Sequence, residues 1–190
     1  MTETTSNDIP LGTIAAEFQL PDVLTGDLFS IEDVRGERGT IIMFLSNHCP
    51  YVKHVVEEIV RVSNDYRVLG FGFAAISSND VNAVPEDHPD QMYQFARKYN
   101  FNFPYLYDRY QNAAIEYKAS CTPDFYLFDW ELKLVYHGQL DNSRPGNGIP
   151  SNGRELREAL DAILGNKKIP DIQKPSMGCS IKWKYKATEK

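Results

Sequence analysis

The chain has 190 residues, with 20 basic and 26 acidic side chains and a net charge of −6. That length suits one compact domain with a tail, and the acidic balance, with no basic block before a short Lys-rich end, excludes nucleic acid as a partner. No apolar run approaches the ~20 residues that span a bilayer, so no membrane partner is expected, and the polar start from Met1 to Asp8 lacks a secretory signal's basic and apolar regions, which places the chain in the cytoplasm.

In chain order, residues 1–11 are expected to be disordered, residues 12–166 to form the domain, and residues 167–190 to form an irregular tail. Phe18 and Leu20 alternate in a short strand candidate between Gly12 and Leu20. Gly26-Asp27 is a turn signal before Leu28 to Ile31. Thr40 to Leu45 is a continuous apolar run, the pattern of a strand buried on both faces. Pro50 to about Tyr66 carries Val52, Val55, Val56, Ile59 and Val60 near helical spacing, and Pro50 suits the first helical position, where its missing N–H costs nothing.

Val68 to Ile76 reads as a second strand and Asn79 to Pro89 as a polar loop. Asp90 to Tyr99 reads as a helix, Phe103 to Tyr107 as a strand and Asn112 to Tyr117 as a short helix. Phe125 to Phe128 and Leu132 to Tyr136 read as a hairpin turning at Asp129-Trp130-Glu131. Gly153 to Leu164 is an amphipathic helix stopped at Gly165. Alternating strands and helices imply an α/β fold with a largely parallel sheet and an antiparallel edge. In the tail, Trp183 and Tyr185 suggest packing back onto the domain. The acidic pairs Glu57-Glu58 and Glu86-Asp87 read as solvated faces.

Cys49 ends the apolar run and begins the helix. A thiol there faces the free N–H groups and positive end of the helix, which favours thiolate and lowers a pKa of about 8.5 into the range of roughly 3.5–7.5. Cys121 and Cys179 complete the cysteines. No pair has C-x-x-C spacing, and His48, His54, His88 and His137 form no ligand cluster, so no metal site is expected. No organic cofactor is implied.

Three segments carry a resemblance. They are Asn47 to Lys53 (N-H-C-P-Y-V-K), Cys121 to Asp129 (C-T-P-D-F-Y-L-F-D) and Gly178 to Lys184 (G-C-S-I-K-W-K). With the lead-in Gly12 to Asp22 and the element order, the chain resembles the thioredoxin-like fold. More closely it is similar to the peroxiredoxin-like, thiol–disulfide isomerase/thioredoxin-like group, in the alkyl hydroperoxide reductase/thiol-specific antioxidant branch. The resemblance implies a central mixed sheet flanked by helices, with a peroxiredoxin-like N-terminal extension.

It also implies thiol–disulfide redox chemistry with Cys49 as the single nucleophile. Val52 stands where a thioredoxin has its second cysteine, and Ser46 stands where relatives often carry an upstream one. Ser46, Asn47, His48 and Pro50 shape the site. Thr122-Pro123 falls at the cis-proline loop that docks an extended substrate. Cys121 and Cys179 are candidate resolving cysteines, which would attack a mixed disulfide or sulfenic acid on Cys49. The implied partners are a protein or small-molecule disulfide or peroxide and an external thiol reductant, for a monomer or homodimer. A weak thiol peroxidase and a non-catalytic redox sensor or binding module are the alternatives. Peroxidase chemistry lacks its arginine near Cys121, since Arg109 belongs to a turn-like segment.

Overall fold

The computed structural model describes residues 3–184. Its strands are β1 (Glu3–Thr5), β2 (Gln19–Pro21), β3 (Leu28–Ser30), β4 (Gly39–Phe44), β5 (Phe71–Ser77), β6 (Tyr105–Tyr107), β7 (Cys121–Thr122), β8 (Asp124–Asp129), β9 (Leu134–Gly138) and β10 (Met177–Ser180). The helices are α1 (Pro50–Arg67), α2 (Pro89–Lys98), α3 (Asn112–Glu116) and α4 (Arg154–Leu164), with a 3₁₀ turn at Pro85–Asp87.

The central sheet runs β6-β5-β4-β8-β9. β4, β5 and β6 are parallel, and β8 and β9 are antiparallel to their neighbours. The fold is thus α/β with a mixed sheet, as the alternation of elements implies. β4 is buried along its whole length. Ile41 and Met43 face a core closed by α1, α2 and α4, and Leu45 beyond the strand joins it. Ile42 and Phe44 face a second core that includes Phe18, Ile31, Tyr117 and Ile181. Each such side chain contributes about 1.5–3 kcal/mol by leaving water. A strand sandwiched this way must be apolar on both faces, which is why Thr40 to Leu45 shows no alternation.

α1 packs on one face through Val52, Val55, Val56, Ile59, Val62 and Tyr66. Pro50 occupies its first turn and Cys49 caps its N-terminus. The expected solvated pair Glu57-Glu58 is half wrong. Glu58 is buried because Arg61 and Arg157 reach its carboxylate at 2.6 and 2.9 Å, the second tying α4 to α1. The strand expected from Val68 begins at Phe71, since Val68 caps α1. The second hairpin strand begins at Leu134, because Leu132 takes a left-handed φ of 59° in the turn.

Both chain ends differ from expectation. The N-terminal segment is not disordered along its length: β1 pairs antiparallel with β10, with Glu3 opposite Cys179, and the Ser6 N–H donates to the Ser176 carbonyl. The tail is not irregular throughout, since β10 lies between β1 and β7 in a small three-stranded sheet. The expected aromatic anchor is an aliphatic one: Trp183 is exposed, Ile181 is buried in the second core, and Tyr185 lies outside the described residues. Ile181→Ala is therefore expected to lower stability by about 2–4 kcal/mol, read as a shifted urea midpoint with an unchanged slope. A loss below about 0.5 kcal/mol would mean that the tail is not part of the core.

Candidate active site

The segment before α1 is held from the side by one buried carboxylate. Asp87 accepts hydrogen bonds from the Ser46 hydroxyl at 2.7 Å, the Asn47 N–H at 2.6 Å and the Asn79 side chain at 2.6 Å. The His48 N–H approaches it at 3.4 Å. Asn47 also donates to the Glu86 carbonyl and accepts from the Tyr105 hydroxyl. A carboxylate out of water needs such donors, and in return it fixes the backbone that presents Cys49. Ser46, Asn47 and His48 thus shape the site through Asp87. The expectation of Glu86-Asp87 as a solvated face is corrected, since Asp87 is fully buried.

Cys49 is itself fully buried. Its sulfur lies 2.8 Å from the Cys179 sulfur and 3.1 Å from the Thr122 carbonyl oxygen, to which its S–H donates. No disulfide joins any two of the three cysteines. The Cys179 thiol hydrogen-bonded to Cys49 is the largest influence favouring the Cys49 thiolate. Burial opposes it, and the Val52 N–H at the helix start adds to the pull. The Thr122 hydroxyl is buried without a hydrogen bond in the resting geometry, and adds a smaller effect from nearby. Together these lower the Cys49 pKa to about 6. Cys179 moves up, because it keeps the proton of that shared hydrogen bond and is itself buried.

The Thr122-Pro123 bond is cis, as the resemblance implies. Thr122 and Cys121 form β7, and β10 pairs with that edge with Cys179 opposite Thr122 and Ser180 opposite Cys121. Cys121 is fully buried, and its thiol is pushed up by burial and then by the nearby Asp124 charge. Pro50 follows Cys49 at the helix start.

The family model described as the AhpC/TSA family matches residues 11–137. The chain belongs to the AhpC/TSA family. A crystal structure of an uncharacterized conserved protein from Geobacillus kaustophilus is 52% identical, with a TM-score of 0.96, covering 98% of this chain and 99% of that one. A hypothetical protein from Sinorhizobium meliloti 1021 is 44% identical, with a TM-score of 0.93, covering 96% of this chain and 100% of that one. A peroxidoxin from Mycobacterium tuberculosis, 15% identical at a TM-score of 0.62 over 83% of this chain and 98% of that one, shares the fold. A search of curated proteins found no match.

In this AhpC/TSA chain the structure brings Cys49, Thr122 and Cys179 together. Cys121 neighbours them in β7, and its thiol is held in the protonated form by burial. His48 points elsewhere, its ring 3.2 Å from the Glu86 carboxylate. Sequence reasoning missed Asp87. The only signal for it was its place in a polar loop, next to a turn that opens at Pro85.

Two outcomes follow. Asp87→Ala leaves three buried donors without an acceptor, and is expected to cost at least about 3 kcal/mol in a denaturant titration. Thiolate absorbance followed against pH is expected to show Cys49 ionising near pH 6, with Cys179→Ala moving the midpoint upward toward the ordinary thiol value of about 8.5. The sign follows from the lowered pKa: between those two values the folded chain holds a thiolate where an unfolded chain holds a thiol. A midpoint unchanged by Cys179→Ala would remove the sulfur pair as the cause.

Proposed function

We propose that the protein is a thiol–disulfide oxidoreductase in which Cys49 attacks and Cys179 resolves. The observation that carries this reading is the 2.8 Å separation of the two sulfurs, against about 2.05 Å in a formed disulfide. Only a small closing movement separates the pair from a bond. The missing C-x-x-C partner is supplied from the tail.

In the reductive direction the Cys49 thiolate attacks one sulfur of a substrate disulfide. A Cys49–substrate disulfide forms, the substrate S–S bond breaks, and the second substrate sulfur leaves as a thiolate. Cys179 gives up its proton to that thiolate and attacks the Cys49 sulfur. The Cys49–Cys179 disulfide forms and the remaining substrate sulfur is released. Two electrons have passed from the enzyme dithiol to the substrate. An external thiol reductant returns the enzyme to the dithiol by two exchange steps. The substrate class is a protein or small-molecule disulfide.

Disulfide exchange is favoured over peroxide reduction by where the guanidinium groups sit. Arg144 spends its donors on Gln139 and on the carbonyls of Asp141 and Ser143. The Arg109 guanidinium lies over the Tyr110 ring at 5.7 Å. Neither guanidinium is among the groups that act on the Cys49 sulfur, which are Cys179, Val52 and Thr122, so a departing peroxide oxygen has no arginine hydrogen-bonded beside the attacking sulfur. Disulfide exchange needs only the thiolate and a leaving thiol.

The test is reduction of a protein disulfide with a thiol donor, followed by mass spectrometry of the trapped enzyme. Cys49→Ser is expected to fall to background. Cys179→Ser is expected to accumulate a mixed disulfide on Cys49, while Cys121→Ser keeps turnover. Retained turnover in Cys49→Ser, or a Cys49–Cys121 disulfide in the oxidised wild-type chain, would overturn the assignment.

A further inference from the structure

Between the N-terminal segment and the tail, a cavity of about 460 Å³ opens beside the edge strand β9. That size suits a small organic molecule. Residues 6–11 form one wall, Asp171, Gln173 and Pro175 form the other, and His137 of β9 completes the lining. The two walls are tied together. The Ser6 N–H donates to the Ser176 carbonyl and the Ser176 N–H to the Ser6 hydroxyl oxygen, each at 3.0 Å. The Asn7 side chain donates to the Lys118 carbonyl at 2.8 Å.

His137 is only 8% exposed. Its Nε2 lies 3.1 and 3.2 Å from the two oxygens of Asp124, a carboxylate with no exposed surface. Asp124 also accepts from the Tyr126 hydroxyl at 3.0 Å and the Phe125 N–H at 3.1 Å. The imidazole stacks on the Tyr126 ring, with centroids 4.2 Å apart. A carboxylate only accepts, so Nε2 carries the proton and Nδ1 presents a lone pair. Among the described residues nothing hydrogen-bonds Nδ1, yet it is not one of the partnerless side-chain atoms sealed from solvent. The cavity is what reaches it.

The rest of the polar lining is weighted to acceptors. The Gln173 amide spends its N–H groups on the Val135 and Pro170 carbonyls and its oxygen on the His137 N–H. The Asp8 carboxylate has neither an ion pair nor a hydrogen bond among the described residues. Asp171 meets Lys168 at 2.7 Å, an exposed pair that commits it weakly. No Lys or Arg among the described residues lines the cavity, and Ile9 and Leu11 give it an apolar side. The acceptors are spread too widely for a metal ion, since the described residues hold no group of three such ligands. Spread acceptors beside an apolar wall match a molecule with several N–H donors on a short carbon chain.

We propose that this cavity binds a small organic cation, a short aliphatic amine or guanidine, with its N–H groups on His137 Nδ1, Asp8 and Asp171 and its carbon chain on Ile9 and Leu11. Asp124 holds the imidazole in the tautomer that accepts. The bound cation spans the segment that leaves β1 and the segment that enters β10, and so adds to the clasp between the chain ends. No residue of the lining acts on the Cys49 sulfur, and the inference does not rest on the redox reading.

The probe is agmatine, which carries a guanidinium and an ammonium at the two ends of a butyl chain. It is titrated calorimetrically into the full chain, with butanediol and succinate as its neutral and anionic counterparts. Agmatine is expected to bind with a dissociation constant of about 1 mM or below, and each counterpart at least about tenfold more weakly. Saturation with agmatine is expected to raise the melting temperature. The nitrogen NMR signal of His137 is expected to move at Nδ1 and hold at Nε2. Asp8→Asn combined with Asp171→Asn, both at exposed positions, is expected to weaken agmatine about tenfold and leave the melting temperature of the free chain in place. Equal binding of butanediol, tighter binding of succinate, an Nδ1 signal that stays in place at saturation, or full affinity in the double variant would overturn the proposal. So would the lack of any agmatine binding up to about 10 mM.

Discussion

The arrangement around Cys49 depends on the antiparallel contact between β10 and the two residues of β7. A strand of only two residues offers little by itself. It holds the tail because β10 lies against it closely enough that only glycine fits opposite the Thr122 carbonyl. That contact buries Cys49, places Cys179 against it and orders the N-terminal β1 on the far side of the tail. The tail in turn is seated by Gly138, where an added Cβ would stand 2.3 Å from the Lys174 carbonyl. The tail closes over Cys49 by backbone proximity.

A second buried group works from the opposite side. Asp87 gathers the backbone and side chains of residues 46–48 and 79, so the loop entering α1 is held by charge-assisted hydrogen bonds. Such a network is costly to leave half made, and that gives it precision. The helix start, the Asp87 network and the β7–β10 edge converge on one sulfur. Apart from the helix start, these groups lie 38 to 130 residues away in sequence.

Moving the partner sulfur from the helix turn to the tail changes the character of the site. In a C-x-x-C arrangement both sulfurs ride on one rigid element. Here Cys49 caps α1 and Cys179 sits on a strand 130 residues further along. The position of Cys179 is therefore set by strand pairing on both sides of β10. A Cys49–Cys179 bond, as proposed, would tie the tail to α1 across that long loop.

Much of this was legible along the chain. The apolar run into β4, the proline that opens α1, the β8–β9 hairpin and the amphipathic α4 are local patterns, and local patterns of burial and turn chemistry survive translation into structure. They placed Cys49 at a strand-to-helix junction, and the motif around Thr122-Pro123 placed a cis-proline loop beside it. What lay outside local patterning was decided by the tertiary structure. The polar first residues become β1 because β10 supplies the partner edge. Asp87 and Glu58 go inside because donors from distant segments meet them. Cys179, rather than Cys121, meets Cys49 because Gly178 lets the tail approach the Thr122 backbone. Residue type and period determine which segments are strands and helices and put a thiol at a helix start. Pairing between segments far apart in sequence determines which sulfur meets which, since only a folded chain can bring two backbones close enough for a missing Cβ to matter.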